Sequence, residues 1–171
     1  MTDLSPLLPT AADLINRCKA TGLTIATAES CTGGLIAATL TEIPGSSAVV
    51  DRGFVTYSNE AKTAMLGVTE ETLAAHGAVS APTALEMVGG ALARSPADLA
   101  VAVTGIAGPT GGSADKPVGL VHFGLQRRGA APSHESQVFA GLDRSGVRLA
   151  TVEKALEMLL ALTGEPQAGA P

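Results

Sequence analysis

The chain has 171 residues, 46% of them hydrophobic and only 2% aromatic, which is enough for one domain with a core of small and aliphatic side chains. A net charge of −5 and the absence of Trp argue against a nucleic-acid-binding protein, because such proteins usually carry a basic patch and aromatic stacking surfaces. The sequence has no apolar run of transmembrane length, and we expect no signal peptide and no disulfide framework from Cys18 and Cys31. We therefore expect a cytoplasmic protein with reduced thiols and no membrane partner.

Segments with apolar residues at helical spacing alternate along the chain with short segments typical of β-strands. The predicted helices cover residues 9–20, 33–43, 60–66, a short stretch after 69, 80–94 and 143–162. The predicted strands cover residues 23–28, 48–57, 98–103, 118–126 and 135–139. This alternation predicts a layered α/β domain with a partly parallel sheet, and the hairpin-like spacing of the last two strands predicts that the sheet is mixed. We expect a single domain over residues 9–163, with a flexible tail at 1–8 and a disordered tail at 164–171.

The first candidate site is the loop at residues 28–34, Ala-Glu-Ser-Cys-Thr-Gly-Gly, between a predicted strand and a helix. The hydroxyl of Ser30 is expected to project from the sheet, and the N–H groups at the start of the helix could bind an oxyanion or a phosphate. Gly33 and Gly34 would let a ligand approach the backbone closely. The alternative is a capped helix whose glycines serve only the turn.

The second candidate site is the segment that ends the next strand, with the only tyrosine of the chain, Tyr57, and with Lys62 near the start of a short helix. A lysine in that position is disfavoured by the helix dipole, and burial would lower its pKa further. A lysine with a lowered pKa can act as the base for a serine nucleophile. The alternative is a solvated surface lysine.

Two further segments carry polar residues at element ends. Thr104 ends a buried strand and leads, through Gly105, into a glycine-rich loop whose N–H groups could form an anion-binding nest, or which could be a flexible linker. Arg144 opens the last helix beside Asp143, where the helix dipole disfavours a cation, so it indicates either an anionic ligand or an ordinary ion pair.

The other reactive side chains give weaker signals. The histidines, His76, His122 and His134, do not have metal-ligand spacing and favour structural or exposed roles. Cys31 could itself be a nucleophile, although a small buried hydrophobic role is favoured.

Taken together, residues 28–34, 53–62 and 103–109 resemble the CinA C-terminal domain family in motif, order and spacing, over about residues 9–162. The resemblance implies a three-layer α/β/α fold with a mixed sheet, and a stand-alone member of the family. It also implies the hydrolysis of nicotinamide mononucleotide to nicotinic acid mononucleotide and ammonia. The chain departs from the family pattern at Leu142, which separates Gly141 from Asp143 and Arg144.

The same resemblance assigns roles to individual residues. Ser30 corresponds to the family's nucleophilic serine, and Tyr57 and Lys62 to its tyrosine and lysine. Thr104 and Arg144 correspond to its strand-end threonine and late arginine.

A mechanism combines both lines of inference. Lys62 is the expected base for Ser30, and Tyr57 is expected to orient Lys62 or relay its proton. The substrate-binding set is Thr32, Gly33, Gly34, Thr104, Gly105 and Arg144. We expect no metal and no organic cofactor, and a homo-oligomer, with a dimer favoured. The competing hypotheses are a regulatory module that binds a pyridine nucleotide without hydrolysing it, and a Cys31-dependent hydrolase.

Overall fold

A five-stranded sheet runs through the centre of the protein in the computed structural model, which describes residues 2–164. Its strands are β1 (Ile25–Glu29), β2 (Val50–Val55), β3 (Leu99–Gly105), β4 (Leu120–Arg127) and β5 (Ser133–Val138). They lie in the order β2-β1-β3-β4-β5, with β1 parallel to β2 and β3, and with β4 antiparallel to β3 and β5. The predicted mixed, partly parallel sheet is confirmed, and the carboxyl ends of β1, β2 and β3 meet at one edge.

Helices cover both faces of this sheet. They are α1 (Leu8–Thr21), α2 (Leu35–Thr41), α3 (Asn59–Ala61), α4 (Glu70–His76), α5 (Ala81–Ala93) and α6 (Arg144–Thr163). A π-helical turn, Lys62–Leu66, continues α3. One face packs against α1, α2 and α6, and the other packs against α5, α4 and the π-helical turn. The expected three-layer α/β/α sandwich is therefore confirmed.

Small side chains on one face of the sheet allow α5 to lie close to it. The side chains below it are small, with Ala26, Ala28, Ala100 and Ala102 in one buried cluster. A Cβ added to Gly124 of β4 would lie 2.4 Å from the Ala84 carbonyl oxygen of α5, so the helix backbone rests directly on the strand. The opposite face carries larger branched and aromatic side chains: Ile25, Leu99, Val101, Val103 and Phe123.

Several element boundaries differ from the predictions. Helix α2 begins at Leu35 rather than at residue 33, because Gly33 and Gly34 take left-handed φ angles of 61° and 100°. Within residues 2–8 a 3₁₀ turn, Ser5–Leu7, precedes α1, and Leu7 is buried against the core. Residues 165–171 of the predicted C-terminal tail lie outside the described residues. Over residues 2–164 no helix has the length and hydropathy of a membrane span.

Candidate active site

The loops at the carboxyl edge of the sheet enclose a cavity of about 290 Å³. Ser30 follows β1 directly, Tyr57 lies two residues beyond β2, and Thr104 is the penultimate residue of β3. The walls of the cavity include Ser30, Cys31, Tyr57, Lys62, Thr104, Gly105, Gly108 and Arg144. The parallel strands thus bring together side chains that are far apart in the sequence, as expected for an α/β sheet.

Among the ionisable side chains that line this cavity, Lys62 is the most deeply buried, with 1% of its surface exposed. Its Nζ lies 3.1 Å from Ser30 Oγ, and it donates to the carbonyl oxygens of Thr56 at 2.9 Å and Tyr57 at 3.4 Å. No carboxylate of residues 2–164 forms an ion pair with it. Burial lowers the pKa of Lys62, and the nearby Cys31 opposes this with a smaller effect. The site therefore favours the neutral amine.

The π-helical turn places this lysine against the sheet edge. Ser58 caps α3 through a hydrogen bond from the Ala61 N–H to its Oγ at 3.0 Å. The turn is held on its far side by α5, where a Cβ on Gly90 would lie 1.9 Å from the Leu66 carbonyl oxygen. Such π-helical turns occur often at functional sites. The Ser58 cap and the contact with α5 thus fix the position of the turn that carries Lys62.

A fully buried carboxylate, Glu29, occupies the N-terminus of α2. It accepts hydrogen bonds from five donors: the hydroxyls of Thr27 (3.3 Å) and Thr32 (2.6 Å) and the N–H groups of Gly34 (3.1 Å), Ile36 (3.0 Å) and Ala37 (2.9 Å). The helix N–H groups that the sequence suggested for an anionic ligand are therefore already occupied by the protein. This is a property of the local fold that the glycine pattern alone did not indicate.

The structure does not place the predicted set Thr32, Gly33 and Gly34 on the cavity wall. The Thr32 hydroxyl and the Gly34 N–H bind Glu29, and the Gly33 N–H donates to the Ser30 carbonyl at 3.0 Å. The N–H groups of Cys31 and Thr32, by contrast, bind no other residue in the described part of the chain. Of these two residues only Cys31 lines the cavity, because Thr32 is fully buried.

Tyr57 and Arg144 meet at the mouth of the cavity. The Arg144 guanidinium donates to the Tyr57 hydroxyl at 3.0 Å and to the Gly108 carbonyl at 2.8 Å. Tyr57 is 61% exposed and reaches Lys62 only through its backbone carbonyl, so its hydroxyl is not in position to relay a proton from that amine. Arg144 lies on the cavity despite the extra Leu142, whose side chain is largely exposed.

Thr104 and Gly105 form the floor of the cavity. The buried Thr104 hydroxyl donates to the Ala78 carbonyl at 2.7 Å and so ties β3 to the loop before α5. A Cβ on Gly105 would lie 2.7 Å from Val121 Cγ2 and 2.8 Å from the Leu120 carbonyl oxygen. Both residues line the cavity, but each also has a structural role, since Thr104 links two segments and the position of Gly105 has no room for a Cβ.

Arg148 is a residue that sequence reasoning missed. It lies one helical turn after Arg144 on α6 and donates from Nε to the Cys31 carbonyl at 3.2 Å and from Nη2 to the Thr32 carbonyl at 2.9 Å. The i, i+4 spacing of two arginines in one helix was the available signal, since such residues share a face.

The remaining reactive residues have no comparable arrangement. Burial raises the pKa of the Cys31 thiol to about 11, so it is protonated at neutral pH and is a poor nucleophile. The histidines are predicted to have structural or exposed roles, and His122 and His134 hydrogen-bond each other at 2.9 Å on β4 and β5. Among residues 2–164 no cluster of three or more metal-ligating side chains occurs.

Fold and cavity together define an α/β sandwich protein with a serine beside a buried lysine at the carboxyl edge of its sheet. Residues 8–163 match the family model described as the CinA C-terminal domain. The chain belongs to this family, which confirms the resemblance seen in its motifs.

Comparison with individual proteins supports the same family membership. The nicotinamide-nucleotide amidohydrolase PncC of Escherichia coli is 51% identical over 159 residues, which cover 93% of this chain and 95% of that protein. A putative competence-damage inducible protein of Symbiobacterium thermophilum is 53% identical over 81% of this chain but only 34% of its own length. The crystal structure of the competence/damage inducible protein CihA from Agrobacterium tumefaciens superimposes with a TM-score of 0.90 at 59% identity, covering 91% of this chain and 94% of that one.

Proposed function

We propose that this protein hydrolyses the carboxamide of nicotinamide mononucleotide to nicotinic acid mononucleotide and ammonia, as a pyridine nucleotide salvage enzyme. The observation that carries the proposal is the 3.1 Å contact between Ser30 Oγ and the Nζ of Lys62, a buried lysine that has no carboxylate partner among residues 2–164. The amidohydrolase named among the relatives supports the substrate, since it matches the chain over nearly its whole length.

The contacts of Lys62 suit a general base. A neutral amine has two hydrogens and one lone pair, and the Thr56 and Tyr57 carbonyls accept two hydrogen bonds from Nζ. The lone pair then faces Ser30 Oγ, which is the third neighbour. Lys62 takes the hydroxyl proton as Ser30 attacks the carboxamide carbon.

The remaining steps follow from the same pair. The tetrahedral intermediate collapses when the amide nitrogen takes the proton from Lys62 and leaves as ammonia, and the acyl group stays on Ser30 as an ester. Water attacks this ester while Lys62 accepts its proton, and the return of that proton to Ser30 Oγ releases the carboxylate. The positive pyridinium ring of the substrate makes the carboxamide carbon more electrophilic, which eases the demand on the serine.

The mouth of the cavity supplies the anion site of the proposal. Arg144 is the arginine on the cavity wall, and its guanidinium is fixed by Tyr57 and Gly108 with further N–H groups left to bind a phosphate. The glycine-rich loop that follows Thr104 completes this end. In this reading Tyr57 orients Arg144 rather than Lys62.

Ammonia release tests the proposal. The unchanged protein is expected to release ammonia from nicotinamide mononucleotide, and Ser30→Ala and Lys62→Met are expected to lose that activity while remaining folded. Ser133→Ala on β5 and Lys154→Met on α6, where Lys154 pairs with Glu135 of β5, are matched controls and should keep it. Nucleotide binding without ammonia release would favour the regulatory module instead, and an active Ser30→Ala variant would remove the serine from its role.

A further inference from the structure

The glycine-rich loop at residues 106–118, which we call the cover loop, forms one wall of the cavity. Five of its residues line that cavity, so a bound substrate would lie against it. The two ends of the loop are joined, because the Ile106 N–H donates to the Leu120 carbonyl at 2.9 Å and the Gly119 N–H donates to the Ile106 carbonyl at 2.7 Å. Compact loops with joined ends are frequently functional.

Close internal packing makes the cover loop a single unit. A Cβ on Gly108 would lie 2.4 Å from Val118 Cγ1, and a Cβ on Gly112 would lie 2.8 Å from the Val118 nitrogen. At the tip, the Lys116 N–H donates to Ser113 Oγ at 3.1 Å, and the Ser113 N–H donates to the Lys116 carbonyl at 2.8 Å. The position of this unit over the cavity therefore depends on its contacts with the rest of the protein.

A second part of the cavity wall, the segment at residues 77–80, is anchored to the body of the protein. Two of its residues line the cavity. The Gly77 carbonyl accepts hydrogen bonds from the hydroxyls of Ser80 and Thr83 at 2.9 Å and 2.8 Å, which fixes the segment to the start of α5. The Thr104 hydroxyl of β3 donates to the same segment at 2.7 Å. This wall is thus a fixed point beside the cover loop.

Lys116 joins the two walls. Its Nζ donates to the His76 carbonyl at 2.6 Å, and a Cβ on Gly77 would lie 3.2 Å from that Nζ. The carbonyl belongs to the last residue of α4, where helix carbonyls lack intrahelical partners and a cation is favoured. Apart from the joined ends of the loop, the only other hydrogen bond between it and the rest of residues 2–164 comes from Arg144.

We propose that Lys116 is a positioning residue that holds the cover loop against residues 77–80 and thereby sets the width of the substrate-binding cavity. Its side chain does not line the cavity, and it acts on the substrate through the two walls that it joins. The inference rests on the proposed function, since the substrate to be enclosed is the proposed nucleotide. Arg144 holds the same loop from α6 and also serves the phosphate, whereas Lys116 serves the loop alone.

Steady-state ammonia release from nicotinamide mononucleotide tests this inference. Lys116→Met is expected to raise KM about 3- to 10-fold and to leave kcat within about twofold, because the walls contact the substrate equally in the ground state and the transition state. A variant that was merely less stable would lose active enzyme, which lowers the apparent kcat and leaves KM unchanged. Lys116→Arg, which can still donate to the His76 carbonyl, is expected to recover most of the lost affinity.

Hydrogen exchange measured by mass spectrometry gives a second readout, which needs no substrate. Lys116→Met should exchange faster than the unchanged protein in peptides that cover the cover loop. Arg128→Met is the matched control, because Arg128 also holds backbone carbonyl groups, from the end of α5 to the start of β3, but at the opposite edge of the sheet. This control should lower the thermal stability and leave both KM and the exchange of the cover loop unchanged.

The outcomes separate this inference from the proposed function. An unchanged KM in folded Lys116→Met, or exchange of its cover loop at the rate of the unchanged protein, would overturn the role of Lys116. Absence of ammonia release from the unchanged protein would contradict the proposed function, and the exchange rates would then decide the role of Lys116 in holding the loop. If Lys116→Met fails to fold, Lys116→Gln takes its place in both measurements, with the same expected directions.

Discussion

At the scale of single residues, the protonation state of Lys62 governs the site. Burial is the main cause of its lowered pKa, because the side chain is almost fully enclosed and its partners are carbonyl groups rather than carboxylates. The helix dipole that the sequence suggested contributes little, since α3 has only three residues before the π-helical turn.

This amine should therefore contribute to the dependence of the protein's stability on pH. Between the lowered pKa of folded Lys62 and the ordinary pKa of an unfolded lysine, the unfolded chain binds more protons than the folded one. The free energy of unfolding then rises with pH across that window. Urea unfolding at roughly pH 7 and roughly pH 9.5 measures this contribution as a difference between variants, because the raised pKa values of the buried Cys18 and Cys31 thiols lower the free energy of unfolding over part of the same range in every variant. The change in the free energy of unfolding from the lower to the higher pH should be more positive in the unchanged protein and in Lys154→Met than in Lys62→Met. An equal change in all three proteins would show that Lys62 does not contribute.

At the scale of elements, α2 depends on the carboxylate of Glu29. A glutamine at this position would present an NH₂ group to donors that need an acceptor, and at least one buried N–H or O–H would lose its partner. We expect Glu29→Gln to lower the free energy of unfolding by about 1–3 kcal/mol.

Glu86→Gln is the matched control for that change. Glu86 accepts hydrogen bonds from the Thr69 N–H and the Thr72 hydroxyl in a much more exposed setting. When both variants are measured by urea titration, the free energy of unfolding of Glu86→Gln should fall by less than about 1 kcal/mol. Equal losses in the two variants would contradict a special role for the buried carboxylate.

The contact between α5 and the π-helical turn gives a second test at this scale. Gly90 lies against the Leu66 carbonyl, so Gly90→Ala must push α5 away from the turn that carries Lys62. Overpacking of this kind costs about 1–3 kcal/mol, and the activity should fall with it because the Ser30–Lys62 distance changes.

The adjacent glycine provides the comparison. A Cβ on Gly89 would meet only Gln126 Oε1, at 3.9 Å, which is an ordinary contact. Gly89→Ala should therefore raise the free energy of unfolding by up to about 1 kcal/mol through helix propensity and leave the activity unchanged. Thermal unfolding and ammonia release of both variants check this, and equal behaviour would contradict the packing argument.

At the scale of the whole molecule, the order and direction of the strands explain which residues of the site could be predicted from the sequence. Ser30, Lys62, Thr104 and Arg144 were predicted because each lies just beyond a strand or at a helix start, and parallel strands gather such positions at one edge. The layered fold was predictable for the same reason, from the alternation of helical and strand-like segments. The predicted dimer remains a prediction.

Long-range contacts were the part that the sequence did not reveal. Arg148 reaches the Cys31 carbonyl across 117 residues of sequence, and no local pattern encodes that pairing. Glu29 was given no role of its own within the loop at residues 28–34, and only the left-handed turn at Gly33 and Gly34 brings the N–H groups of α2 onto it. The expected contact between the Tyr57 hydroxyl and Lys62 was replaced by one to Arg144, because Tyr57 points outward from the end of β2.

Activation of Ser30 by the uncharged amine is best tested by trapping the covalent intermediate. Rapid acid quenching of the protein with saturating nicotinamide mononucleotide, followed by peptide mass spectrometry, should find the acyl group of the nucleotide on Ser30, and no such adduct in Ser30→Ala. An adduct located on Cys31, or ammonia release by Ser30→Ala at the rate of the unchanged protein, would contradict the account.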